Sequence, residues 1–225
     1  MIGQKLLSAV LLAGLLAPRV AAAQDANIML PTDSIEKLLR AAPFHVLNMQ
    51  GTRFPEDRTQ RVTLQFGDST LIAAKWAKAP YGGETFNNNP RYELAAYRVQ
   101  KMFLDPLDYV VPPTVLRVVP LAWYRQRSPN ASPTFSGTTS VLVVLQYWLW
   151  NVTSSGLWDP DRFASDSVYA RHFADMNILT YLIHHNDANV GNLLISKMPD
   201  NPRIFAVDNG LSFESEASDR GTEWR

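Results

Sequence analysis

The sequence predicts an α+β fold, with a sheet-rich first two-thirds and a shorter helical part after it. Three observations lead there. Between residues 44 and 76 the chain repeats short runs of apolar and β-branched residues, broken by groups such as Gly51-Thr52-Arg53 and Phe66-Gly67-Asp68. Val141 to Leu149 is almost wholly apolar, as an interior strand would be. After Trp150 the periodicity changes, and Phe173, Met176, Leu179, Leu182 and Ile183 recur at helical spacing.

The elements follow in order. A leader and short helix occupy 24–43, with Ser34 placed to cap the helix and Ile35, Leu38 and Leu39 on one face. Phe44 to Met49, Val62 to Phe66 and Thr70 to Trp76 read as strands. Residues 79–90 form a loop by composition. Arg91 to Leu104 then reads as a helix with Ala95, Val99, Met102 and Phe103 as its apolar stripe. Pro112-Pro113 closes the connection to a strand over Val115 to Tyr124, and a polar loop over 125–139 leads into Val141 to Leu149. A connector over 151–162, a helix over Val168 to Ile183 and a polar loop over His184 to Asn192 come next. Leu193 to Ile195 and Ile204 to Val207 then form a hairpin around 197–202.

Composition narrows the function classes. Of 225 residues, 46% are hydrophobic and 19% charged, which supports a packed core rather than disorder. Net charge is zero and no Lys/Arg-rich run occurs, so no nucleic-acid partner is expected. The chain has no cysteine, which rules out disulfides and thiolate metal sites. Lys5, the apolar run Leu6 to Leu16 and the small residues Ala21 to Ala23 predict a signal peptide over 1–23. That implies a secreted or periplasmic protein. The apolar run is too short to span a bilayer, and no later run reaches that length, so no transmembrane span is expected in the mature chain.

Three segments carry chemistry. In His184 to Asn192 (HHNDANVGN), Asp187 and Asn192 stand five positions apart on a loop between helix and strand. A phosphotransferase needs a carboxylate to orient or deprotonate an acceptor hydroxyl and an amide oxygen to hold a metal, both within reach of one phosphoryl group. Asp208-Asn209-Gly210 follows the apolar run IFAV, placing a carboxylate at a strand end before a glycine turn, as a metal-binding D-x-G element does. Lys75 lies near the end of a predicted strand, with Glu93 at the start of the next helix; a buried ammonium held by a carboxylate grips nucleotide phosphates. Lys78 competes with Lys75 for that role. Each part has a bland reading: Asx turns, helix-dipole partners and solvated edge lysines are common. Their order, Lys, Glu, Asp, Asn, Asp, is what a two-lobed kinase requires.

Asp187 to Ile195 with Ala206 to Phe213 (AVDNGLSF) resembles the catalytic and metal-binding segments of the type II phosphatidylinositol 4-kinases and their bacterial relatives. Tyr92 to Tyr97 (YELAAY) and Val111 to Val115 (VPPTV) resemble the secretory-pathway kinase family typified by the Golgi casein kinase, which also uses DNG. The similarity covers roughly residues 65–215, with gaps. It implies an atypical protein-kinase-like fold with a sheet-rich N-lobe over 24–148 and a truncated helical C-lobe over 149–225. It implies ATP with Mg2+ or Mn2+, and a hydroxyl acceptor on a lipid, protein or sugar. By the resemblance Lys75 contacts phosphates, and Glu93 positions Lys75 or a metal. Asp187 is the catalytic carboxylate, Asn192 and Asp208 bind metal, and backbone groups in the hinge near Gln146 to Trp150, Gln146 and Trp148 among them, meet adenine.

The chain departs from the pattern in places. His185 and Asn186, with no Arg, stand directly before Asp187, no G-x-G-x-x-G precedes Lys75, and little chain follows Asp208. These departures make a catalytically inactive binding module the competing reading. A zinc site at His184, His185 and Asp187, and carbohydrate binding by Tyr147, Trp148, Trp150 and Trp158, are further alternatives.

Overall fold

The structure is a computed structural model, and it describes residues 26–52, 59–85 and 88–213. The segment expected to be a signal peptide lies outside the described residues. Among the described residues no helix is long and apolar enough to cross a membrane.

Helix α1 (Thr32–Ala41) precedes strands β1 (Phe44–Gly51), β2 (Thr59–Phe66) and β3 (Leu71–Lys78). Helix α2 (Pro90–Gln100) leads to β4 (Thr114–Pro120), the short helix α3 (Leu121–Arg125) and β5 (Ser140–Tyr147). These five strands form one antiparallel sheet in the order β1-β2-β3-β5-β4. A second sheet joins β6 (Val152–Thr153), β7 (Leu193–Ser196) and β8 (Ile204–Ala206), with helices α4 (Pro160–Ser165) and α5 (Ser167–Leu182) between β6 and β7. A 3-10 turn over Asn209–Leu211 follows β8.

The large sheet separates two chemistries by its period of two. Val62, Leu64, Ala74, Trp76, Val115, Val141, Val143 and Leu145 are buried and pack with Ile35 and Leu39 of α1. Trp76 is fully buried there among Phe44, Trp123 and Tyr124. Arg61, Lys75, Gln146 and Thr114 are direct cross-strand partners in register, so they form one transverse polar row on the opposite face. A second buried cluster joins Ala96 and Tyr97 of α2, Tyr109 to Val111, the inner face of α5, and β7 and β8.

Four sequence expectations need correction. The position before α1 is Pro31, which makes no side-chain cap; Ser34 sits inside the first turn, its N–H bonded to the Pro31 carbonyl. Helix α2 ends at Gln100 and buries Glu93, Ala96, Tyr97 and Gln100, a face set by two polar residues rather than by Met102 and Phe103, which are exposed. Residues 121–124 are helical, because the β4 ladder ends at the Pro120–Ser140 pair and proline has no N–H to extend it. On α5, Phe173, Met176, Leu179 and the following Ile183 point inward as expected, but Leu182 is exposed. The helix start is well defined, since the Asp166 carboxylate accepts from the N–H groups of Val168 and Tyr169.

Candidate active site

Lys75 lies on the interior strand β3, and its side chain leaves the sheet on the polar face. Its Nζ donates to Glu93 Oε1 at 2.6 Å and to Asp208 Oδ1 at 3.1 Å. Three residues far apart in sequence therefore meet at one ammonium. Lys75 and Glu93 are both buried, whereas the Asp208 side chain is 60% exposed and faces open space. Burial works against the lysine charge, but the two carboxylates outweigh it and hold its pKa well above the ordinary value. In turn the Lys75 ammonium holds the Asp208 carboxyl below the usual carboxylate range, against the opposing effect of desolvation. Lys78 does not compete: it pairs with Val143, on the other side of the sheet from Lys75, with its Nζ over the Tyr124 ring.

Glu93 has a second bond. Its Oε2 accepts from the backbone N–H of Asn209 at 3.2 Å. Asn89, just before α2, donates through Nδ2 to the Gly210 carbonyl at 3.1 Å. The start of α2 is thus fastened to the Asp208-Asn209-Gly210 turn by two hydrogen bonds. Asp208 itself has φ 60° and ψ 53°, a left-handed backbone that Asp tolerates better than most residues. That conformation turns the chain from β8 into the 3-10 turn.

The loop from α5 to β7 lies beside this turn. Asp187 Oδ1 accepts from Asn189 Nδ2 at 2.5 Å, and Asp187 Oδ2 from Asn192 Nδ2 at 2.9 Å. The Asn192 amide also donates to the Asp187 carbonyl at 3.0 Å. Both carboxylate oxygens are thereby fixed, and the Asn192 amide nitrogen is turned toward Asp187, away from its own Oδ1. The Val207 N–H bonds the Asn192 carbonyl at 2.8 Å, and the Asn186 N–H bonds the Leu211 carbonyl at 3.2 Å. Loop and turn are stitched on both sides of Asp208. Beneath them His185 is fully buried; burial holds its imidazole below the ordinary range, against the Val207 backbone and the Asp187 and Asp208 carboxylates.

Gln146 and Trp148 sit at the end of β5. Gln146 lies within the sheet, opposite both Lys75 and Thr114, and its Nε2 donates to Thr114 Oγ1 at 2.9 Å. The segment past the sheet begins at Trp148, whose N–H bonds the Ala73 carbonyl at 2.9 Å. The N–H groups of Tyr147 and Trp150 are also taken, by the carbonyls of Pro113 and Asn27. The aromatic residues do not form one platform. Trp158 packs on Phe163 and Phe173, while Trp148 and Trp150 share the Arg61 guanidinium.

The site brings Lys75, Glu93 and Asp208 into contact, and Asp187 and Asn192 into contact beside them. Asp208 and the Asn192 Oδ1 are hard oxygen donors that would suit a divalent cation such as Mg2+ or Mn2+. No cluster of three or more His, Cys, Asp or Glu suited to a metal occurs among the described residues, which leaves the zinc alternative without support. Sequence reasoning missed Asn89, Asn189 and Arg61. An Asn before a Pro at a helix start reads as a cap, yet Asn89 makes no cap bond and spends its side chain on Gly210.

No protein-family model and no curated protein matches the chain. Solved structures do. A hydra Fam20 determined with sugar matches at 14% identity over 86% of this chain and 70% of its own, with a TM-score of 0.51. The Golgi casein kinase matches at 14% identity over 86% of this chain and 59% of its own, again at 0.51. A structure of the Golgi casein kinase with Mn and ADP bound matches at 15% identity over 86% and 60%, with a TM-score of 0.49. The chain spans about 60% of the length of the Golgi casein kinase structures it matches. The type II phosphatidylinositol 4-kinase likeness rests on sequence segments alone. By structure, this chain has a mixed α/β fold with an antiparallel, sheet-rich N-terminal region, similar to that of the Fam20 and Golgi casein kinase structures.

Proposed function

We propose that the chain is an atypical kinase that transfers the γ-phosphoryl group of ATP to a hydroxyl on a lipid, protein or sugar. The observation that carries this reading is the meeting of Lys75 with both Glu93 and Asp208, with Asp187 and Asn192 bonded to each other alongside. In this reading the five-stranded sheet is the N-lobe, ending near residue 148, and the rest belongs to the C-lobe. Lys75 holds nucleotide phosphates, positioned by Glu93. The adenine lies against the segment beginning at Trp148. Asp208 and Asn192 would hold Mg2+ or Mn2+, which would neutralise charge on the nucleotide phosphates.

Asp187 orients the acceptor hydroxyl and takes its proton. The acceptor oxygen bonds to the γ-phosphorus as the bond to the β–γ bridging oxygen breaks, and ADP leaves. The two asparagine amides fix the Asp187 carboxylate before substrate arrives, so catalysis comes mostly from positioning. We place the mature protein outside the cytoplasm, on the strength of the signal-peptide pattern in residues 1–23.

The test is thermal stabilisation of the purified protein by ATP with Mg2+ or Mn2+, each also omitted, alongside ADP release with hydroxyl acceptors. Stabilisation should need nucleotide and metal together and vanish in Asp208→Ala. Asp187→Ala should keep it and lose transfer. Turnover by Asp187→Ala at the wild-type rate would refute the catalytic assignment. Metal-dependent ATP binding with no turnover for any acceptor class would favour an inactive binding module.

A further inference from the structure

We propose that Arg61 stacks on the base of a bound nucleotide, holding the purine ring at the Trp148–Trp150 end of the polar face of the sheet. The proposal rests on the nucleotide-binding reading above. Strand register puts Arg61 in place. It is the direct antiparallel partner of Lys75, and directly opposed residues project from the same face. Arg61 therefore leaves β2 on the side where Lys75 meets Glu93 and Asp208.

Its head group lies against two indoles at the end of β5. The guanidinium carbon is 5.0 Å from the centroid of the Trp148 ring and 5.4 Å from that of Trp150. Trp148 is anchored to the far side of β3 by its N–H bond to the Ala73 carbonyl. To reach the two indoles, the Arg61 side chain must cross β3. Ala73 and Lys75 share one face of that strand and stand about 6.6 Å apart along it. A line along this face of the sheet thus runs from an arginine backed by two indoles, past the methyl of Ala73, to the ammonium of Lys75. A nucleotide laid along it puts its base at the first and its phosphates at the last.

The chemistry of the head group selects stacking. A guanidinium is planar, delocalised and weakly hydrated, and it lies flat on aromatic faces. Among the described residues no ion pair involves Arg61, whereas Lys75 has two carboxylates. The positive charge at the base end is held by ring faces and not by a carboxylate, so it is not neutralised there. Arg61 also supplies this charge from β2, in a chain that lacks a G-x-G-x-x-G loop before Lys75.

The experiment separates the base from the phosphates. Binding of ATP and of inorganic tripolyphosphate, each with Mn2+, is measured by calorimetry for the wild type, Arg61→Ala and Arg61→Lys. Arg61→Ala should weaken ATP binding about tenfold, the scale of a desolvated cation–π contact, and leave tripolyphosphate binding unchanged. Arg61→Lys should fall between, and it serves as the readable variant should the alanine protein not fold. Equal weakening of both ligands would make Arg61 a phosphate contact and overturn the proposal. Tighter ATP binding by Arg61→Ala would show that the side chain fills the slot instead of lining it, and unchanged ATP affinity would remove Arg61 from the slot. A wild-type protein that binds tripolyphosphate but not ATP refutes the stacking role alone. One that binds neither refutes the nucleotide reading itself.

Discussion

Replacing Glu93 by alanine tests the buried ion pair as a structural element, independently of any reaction. Glu93 does two things: it balances Lys75 at 2.6 Å and accepts the Asn209 N–H at 3.2 Å. Removing one partner of a buried pair costs about 3–5 kcal/mol, because the other charge is left uncompensated. Lys75 retains Asp208 at 3.1 Å, but that carboxylate is largely hydrated and compensates only in part. An orphaned buried N–H adds about 1–3 kcal/mol. We expect a net loss of about 4 kcal/mol, which in a chain of this size lowers Tm by about 8–16 °C. Urea denaturation followed by circular dichroism measures it. Lys75→Met should also destabilise, by leaving Glu93 buried and unpaired. The double variant Lys75→Met/Glu93→Leu should recover much of the loss, since both charges go and the volume stays. A Glu93→Ala cost below about 1 kcal/mol, less than one buried hydrogen bond to a charged group contributes, would refute this structural role for the pair. The pair is equally refuted as a coupled unit if the losses of Lys75→Met and Glu93→Leu taken singly simply add in the double variant. Because the folded Lys75 pKa is raised, the pair's contribution is complete below about pH 10.4 and declines as pH rises beyond it.

Other outcomes follow from the same structure. Gln100 is fully buried; its Oε1 accepts from the N–H groups of Val110 and Val111, and its Nε2 donates to the Val111 carbonyl. Gln100→Leu strands three buried backbone groups and should cost about 4 kcal/mol in urea denaturation. His172 is buried, and burial, aided by Arg171 and Arg203, holds its imidazole below the ordinary range, against Asp108 and Asn201. The unfolded chain then binds a proton that the folded chain refuses, so stability should fall as pH drops below about 6.5, and His172→Gln should flatten that fall in melts taken from pH 8 to 5.

The strands were legible because each carries its own pattern. Leu71–Lys78 and Ser140–Tyr147 announce themselves by apolar and β-branched runs, and the structure differs from the reading by one or two residues at their ends. Helix α2 was legible as a helix but not in its facing. Its inward side is chosen by Glu93 and Gln100, whose partners lie at Lys75, Asn209, Val110 and Val111, and no local periodicity records those. Asp187, Asn192 and Asp208 were visible through spacing, since loop chemistry is local. Strand β6 was missed, being two residues long and defined only by its pairing with β7. Arg61 was missed because its place depends on register across three strands, which the sequence of one strand does not contain.

The two bonds from the start of α2 to the Asn209-Gly210 backbone have a mechanical consequence. With Asn89 and Glu93 both fastened there, and Glu93 gripping Lys75, helix and turn have no independent hinge between them. A displacement of α2 would carry the Asp208 carboxylate with it. That carboxylate is therefore restrained twice over, directly by Lys75 and through the Asn209-Gly210 backbone by Asn89 and Glu93. Wear at Asn89 would be felt as slack at Asp208.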